Sequence, residues 1–265
     1  MFPRFRGAVL CMTNIQETNT MQSKKTLQAS LLAILIGTAS GALMPAAAQA
    51  QNVIAQMQNA LKRQSAEALA AAQRDFAQFA TAQQQMRGSG APVDFPLDIT
   101  DLQDLKQAVV SYGFPVHTVD PNEMLAGRSS MQGMAKPTAQ WRFVITLHDR
   151  PIGMATVERS NGRYETVEYG ASVLSKDVDA MAGFHGNADK SNLRFVRVYQ
   201  ARSDFLEVMG QDGRARFAPL HSARESLMLK QRASKAGKPD DGLLDEADFI
   251  QPLRSAVKLN MAAPR

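Results

Sequence analysis

His148 stands beside Asp149, and His185 stands four residues before Asp189. An imidazole next to a carboxylate is the pairing used in general acid–base catalysis, because the carboxylate orients the ring and steadies its cation. Loops that brought the two pairs together would supply an acid and a base for a hydrolase acting on a cell wall or glycan. Each pair also has a plainer reading. His148 to Pro151 is a turn between two strands, and His185-Gly-Asn-Ala-Asp189 is a solvated loop. The other two histidines, His117 and His221, lie far from both in sequence.

Other chemical signatures fail on spacing. The chain has no H-E-x-x-H, no C-x-x-C, no G-x-S-x-G and no Gly-rich loop between a strand and a helix. Asp177, Asp179 and Asp189 do not follow the ligand spacing of a calcium loop. Ser255 and Lys258 match S-x-x-K, but the companion K-T-G is missing. No metal and no cofactor is therefore expected.

A second chemistry is anion recognition. Arg142, Arg163, Arg194, Arg197, Arg202, Arg214 and Arg216 are interleaved with Trp141, Tyr164, Tyr169 and Tyr199. Guanidinium forks beside aromatic rings hold carboxylates, phosphates, glycans or peptides. Arg214 and Arg216 share a strand face, with Tyr164 and Tyr199 as the aromatic candidates. Arg194 and Arg197, an odd number apart, point to opposite faces. The competing reading is cross-strand pairing with Glu158, Glu165, Glu168 and Glu207.

The elements that position these groups can be read from periodicity. Residues 51–86 are rich in Ala and Gln, with Ile54, Met57, Leu61, Leu69, Ala72, Phe76 and Phe79 at helical spacing. This predicts a long helix with a narrow apolar stripe, either laid on its own domain or projecting as a coiled-coil or docking segment. Residues 87–96, RGSGAPVDFP, read as a linker. Thr100 and Gln103 form a capping box that predicts a helix over 101–112, ended by Gly113 and Pro115.

Strands are expected over 140–147, 152–159 and 163–169, with Asn161-Gly162 as a tight hairpin turn. A helix over 174–181 follows, then strands over 192–201, 204–209 and 214–220. Ser222 and Glu225 make a second capping box, opening a helix to 232. The fold class is α+β: a small antiparallel sheet with helices on one face, preceded by the long N-terminal helix. The α+β domain is placed at 97–232, and 233–265 is a polar, partly disordered tail that adds at most a weak helix over 243–262.

The first 50 residues read as a secretory signal peptide, with a possible true start at Met21. Lys24 and Lys25 are basic, Leu31 to Met44 is apolar, and Ala48-Gln49-Ala50 is an A-x-A cleavage signal. The apolar run is about 14 residues, short of the ~20 that span a bilayer, so no transmembrane segment remains after cleavage. The full chain carries 30 basic and 25 acidic residues, and four of the former and one of the latter lie in this leader. The remainder is near charge balance, at net +2, which argues against nucleic acid as a partner. Cys11, the single cysteine, also lies in the leader, so the mature chain is held by its core and not by disulfides.

These features favour a bacterial periplasmic or secreted protein without catalytic activity, an interaction or adaptor protein of the envelope. It would engage an envelope partner, or itself, through residues 51–86 or an exposed strand edge. An anion- or peptide-binding sheet face and a glycan hydrolase are the two alternatives.

Overall fold

The computed structural model describes residues 46–85, 90–127, 130–229 and 241–262. The chain divides into two units, 1–49 and 50–265. The leader falls almost wholly outside the described residues. Among the described residues no helix is long and apolar enough to cross a membrane.

Seven strands form the sheet of the second unit: β1 (Ala108–Val119), β2 (Ala135–Leu147), β3 (Arg150–Ser160), β4 (Arg163–Gly170), β5 (Leu193–Val198), β6 (Ser203–Met209) and β7 (Ala215–Pro219). Their order is β4-β3-β2-β1-β5-β6-β7. Two antiparallel meanders, β1–β4 and β5–β7, meet where β1 pairs with β5 in parallel, over Val116–Thr118 and Phe195–Arg197. The sheet is therefore mixed and larger than the small antiparallel one expected. The parallel join follows from the helix α4 (Ser172–His185), which carries the chain from edge strand β4 back to the centre.

Helices cover both faces, not one. Along β2, Trp141, Phe143, Ile145 and Leu147 point into one cluster with Ala68, Ala72, Phe76 and Ala80 of α1 (Ala46–Gln84). Val144, between them, joins Val178 and Ala182 of α4 on the opposite face. On the α1 side of β5–β7, Val196, Phe205 and Phe217 pack against Phe249, Leu253 and Val257 of α6 (Glu246–Ala262). Met124 of α2 (Pro121–Leu125) and Met131 of α3 (Met131–Met134) complete that cluster. The weak helix expected over 243–262 thus forms as α6, with one face buried. Its apolar residues fall at 249, 250, 253 and 257, the spacing of one helix face, and the Glu246 carboxylate accepts the Met131 N–H.

The expected helix at 101–112 is mostly strand. Asp101, not Thr100, supplies the cap, its carboxylate accepting the Gln103 N–H at 2.8 Å, but the helix it opens is one 3-10 turn, Leu102–Lys106. From Ala108 the chain pairs with β2. Gly113, read as a helix stop, lies at a register shift where an added Cβ would come within 2.4 Å of the Arg142 carbonyl and the Phe143 ring. Glycine is there for close strand approach.

The segment read as a linker is tied down where it is described. Ala91 N–H donates to Thr100 O, and Ala91 and Phe95 pack against the cluster that α1 shares with the sheet. It connects α1 and the sheet within one core rather than separating two parts.

The Asn161-Gly162 turn forms as expected, with φ of +51° and +81°. Gly162→Val should cost about 1–2 kcal/mol, the strain of a left-handed L-residue, read as a lower midpoint in thermal unfolding.

Both sheet edges are engaged. On β4, the Thr166 N–H donates to Asp75 at 2.7 Å, and the Tyr164 carbonyl accepts from Arg74 at 3.2 Å. On β7, Phe217 and Leu244 exchange backbone hydrogen bonds of 3.0 and 2.8 Å. Such cover blunts an edge against strand addition.

Candidate functional site

The acid–base candidates do not assemble. His148 and Asp149 are the two central residues of the β2–β3 hairpin, with φ of +49° and +61°. The His148 Nε2 lies 2.7 Å from the Gln107 side-chain oxygen, so that nitrogen donates the proton. His185 ends α4 and donates from Nε2 to the Asp241 carbonyl at 2.8 Å. Asp189 is exposed and accepts the Ser191 N–H. Hydrogen bonding from Ser191 holds its carboxyl below the usual value. The two histidines tie their segments to distant parts of the chain and Asp189 braces its own loop, and among the described residues no hydrogen bond or ion pair joins the two pairs. Among the described residues no group of three His, Cys, Asp or Glu converges on a point where a metal ion could sit.

The four anion-site candidates are also separated. Tyr164 is on β4 and buried beneath α1, whereas Arg214 and Arg216 flank the start of β7, the opposite edge. Six strand spacings of ~4.8 Å place these edges about 29 Å apart. Arg214 is exposed in the β6–β7 turn beside Asp212. Arg216 bonds Asp241 and the Leu243 carbonyl, pinning the chain that leads into α6. Tyr199 is half exposed, with the Arg197 guanidinium 5.3 Å from its ring centre.

A different set does converge, on the α4 side of the sheet. Arg142 alternates with Trp141 and Phe143 along β2 and so faces the side of Val144. Its guanidinium reaches across β1 to lie 5.2 Å from the ring centre of Phe195 on β5. The register continues the row outward, Arg142 opposite Thr156 and Thr156 opposite Glu168. Inward, Arg197 lies opposite Asp204 of β6.

The row is polar yet poorly satisfied. Buried Arg142 Nη1, Arg197 Nε and Asp204 Oδ1 each lack a hydrogen bond. Arg197 Nε and Asp204 Oδ1 are 3.7 Å apart, near enough for attraction and too far for a hydrogen bond. Burial first, then the like charge of Arg197, push the Arg142 guanidinium below its usual value, while Asp204 and Glu168 act the other way. Asp204 is 4% exposed; its Oδ2 accepts from the Ser222 hydroxyl at 3.0 Å. Ser222 and His221 then line a cleft of about 340 Å³ with Asp204 and Ala171–Leu174, where α4 begins. Buried polar groups are normally paired, so three orphans on one face single this region out.

No protein family, curated protein or solved structure matches the chain. The chemistry of the molecule itself therefore carries its functional reading.

Part of this row is legible in the sequence, where Arg142 and Arg197 stand among the arginines interleaved with aromatic rings. Arg142 interrupts a strand whose other face is wholly apolar, which marks it as a charge on a second, partly buried face. Asp204 gave no such signal, because only the β5–β6 register brings it opposite Arg197.

The second surface of interest is on α1. From Ala68 onward its buried residues fall at 68, 71, 72, 76 and 80. The same stripe runs back through Leu61 and Met57, which are 48% and 68% exposed. Residues 55–67, about 20 Å of helix at 1.5 Å per residue, are almost entirely exposed.

Proposed function

We propose that this chain is an exported, non-enzymatic interaction protein of the bacterial envelope, docking through the N-terminal half of α1. The observation that carries the reading is one apolar stripe with two fates: sealed on the sheet from Ala68 on, and open at Met57 and Leu61. Ahead of the sheet the open part of this narrow stripe has the width of a helix–helix seam. Lys62 and Arg63 lie on the same exposed stretch, and parallel pairing with a second copy would set these charges against themselves. The partner is accordingly a helix of another envelope protein, with acidic residues flanking its own apolar stripe. Export rests on the leader sequence, with cleavage after Ala50. The engaged edges of β4 and β7 favour the helix over strand addition as the docking element.

The core defines the right truncation. Removing 51–86 would strip Phe76 and its neighbours from Trp141 and Phe143, so loss of binding there would report unfolding. Deleting residues 51–64 should leave the unfolding midpoint within a few degrees of the parent and abolish co-purification of the partner. A truncated protein that keeps its partner would rule out α1 as the docking element.

A further inference from the structure

We propose that Arg142 and Arg197 form an oxyanion-binding site for a ligand that carries a phosphate or a pair of carboxylates, its body lying in the cleft at the start of α4. Most arginines of the sheet and its helices are answered by a carboxylate. Arg194 binds Glu207, Arg216 binds Asp241, Arg224 binds Asp177 and Arg150 binds Asp98. Among the described residues no hydrogen bond or ion pair reaches the Arg142 guanidinium; its buried Nη1 is unpartnered, and its carbon lies 5.2 Å from the Phe195 ring centre. Arg197 is seated in the same way on Tyr199, and its nearest carboxylate is at 3.7 Å. Both guanidinium carbons lie within 5.3 Å of an aromatic ring centre, and Arg142 Nη1 and Arg197 Nε carry no hydrogen bond, so these donors are open to a planar or tetrahedral oxyanion through paired hydrogen bonds.

The adjoining cleft adds to the case. Ala171, which precedes the first residue of α4, is left-handed with φ of +58°, and no side chain caps the helix. Its first amides and positive dipole end border the cleft. Asp204, 4% exposed and with Oδ1 unpartnered, lines the same space. A carboxylate there accepts a hydroxyl or ammonium, so a ligand carrying such a donor beside its oxyanion gains a further hydrogen bond, while the oxyanion itself is held by the arginines. The site does not depend on the docking reading, since α1 lies on the other face of the sheet.

Isothermal titration of the full chain with inorganic phosphate and with succinate, against chloride at matched ionic strength, tests this. Saturable heat with phosphate alone assigns a phosphate ligand, and with succinate alone a dicarboxylate. Arg142→Gln should weaken either at least tenfold, with Arg142→Lys only partly restoring it, and Arg214→Gln should leave binding unchanged. Where Arg142→Gln fails to fold, Arg197→Gln carries the same expectation. No saturable heat with either probe, or equal binding by the Arg142 and Arg197 variants, overturns the proposal.

Discussion

Phe76→Ala is expected to destabilise the sheet unit by about 3–5 kcal/mol, the usual cost of emptying a buried phenyl site. Phe76 is 4% exposed and sits 6.1 Å from Phe79 and 5.9 Å from Tyr169, ring centre to ring centre. Among the described residues it is the largest side chain that α1 buries, so its loss opens a cavity beside Tyr169 that the alanines around it cannot fill. Leu61→Ala, on the same stripe but outside the sealed part, should change stability by no more than about 0.5 kcal/mol. Urea unfolding of both variants checks the pair of values. A cost below about 1 kcal/mol for Phe76→Ala would mean that α1 is not part of the core.

The second large effect concerns Glu207. It is 1% exposed and held bidentately by Arg194, with contacts of 3.0 and 2.5 Å. Glu207→Leu leaves the guanidinium without its carboxylate partner, and breaking a buried pair in this way typically costs about 3–5 kcal/mol. Because 30% of the Arg194 side chain stays in water, a value near the lower end, about 3 kcal/mol, is expected. Replacing both partners, Arg194→Met with Glu207→Leu, should recover most of the loss, since a buried ion pair contributes little beyond its apolar substitute. A double variant as unstable as the single would show that the position, and not the pairing, sets the cost.

These two sites also show what the sequence disclosed. Alternation along β2 and the Asn-Gly turn announced the meander, because side-chain facing and turn geometry are local properties. The stripe of α1 was equally legible, but not where it stops being covered, which depends on how far the sheet extends beneath it. Val109 and Val110 could have warned against a helix at 101–112, yet the capping pattern outweighed them. Strand pairing across Gly113 decided the outcome through contacts more than 25 residues away. The parallel β1–β5 join was invisible, since its partners are about 80 residues apart.

The candidate sites divide the same way. His148 with Asp149, and His185 with Asp189, had the right chemistry close together in sequence, but His148 is bonded to Gln107, His185 to the Asp241 carbonyl and Asp189 to the Ser191 N–H. Tyr164 and Arg216 shared a description and not a place, being carried to opposite edges of the sheet. Arg142 and Arg197 come together only because β1 lies between their strands and a long side chain can cross it.

The central claim is that the open half of α1 docks a helix of another envelope protein. A photocrosslinking residue placed at Gln58 in the full chain, activated in the living cell, tests it most directly. The account predicts one adduct with a non-identical envelope protein, formed through a helical segment with acidic flanks and abolished by Leu61→Asp while the sheet unit stays folded. An adduct unchanged by Leu61→Asp, an adduct with a second copy of this chain, or no adduct at all would contradict it.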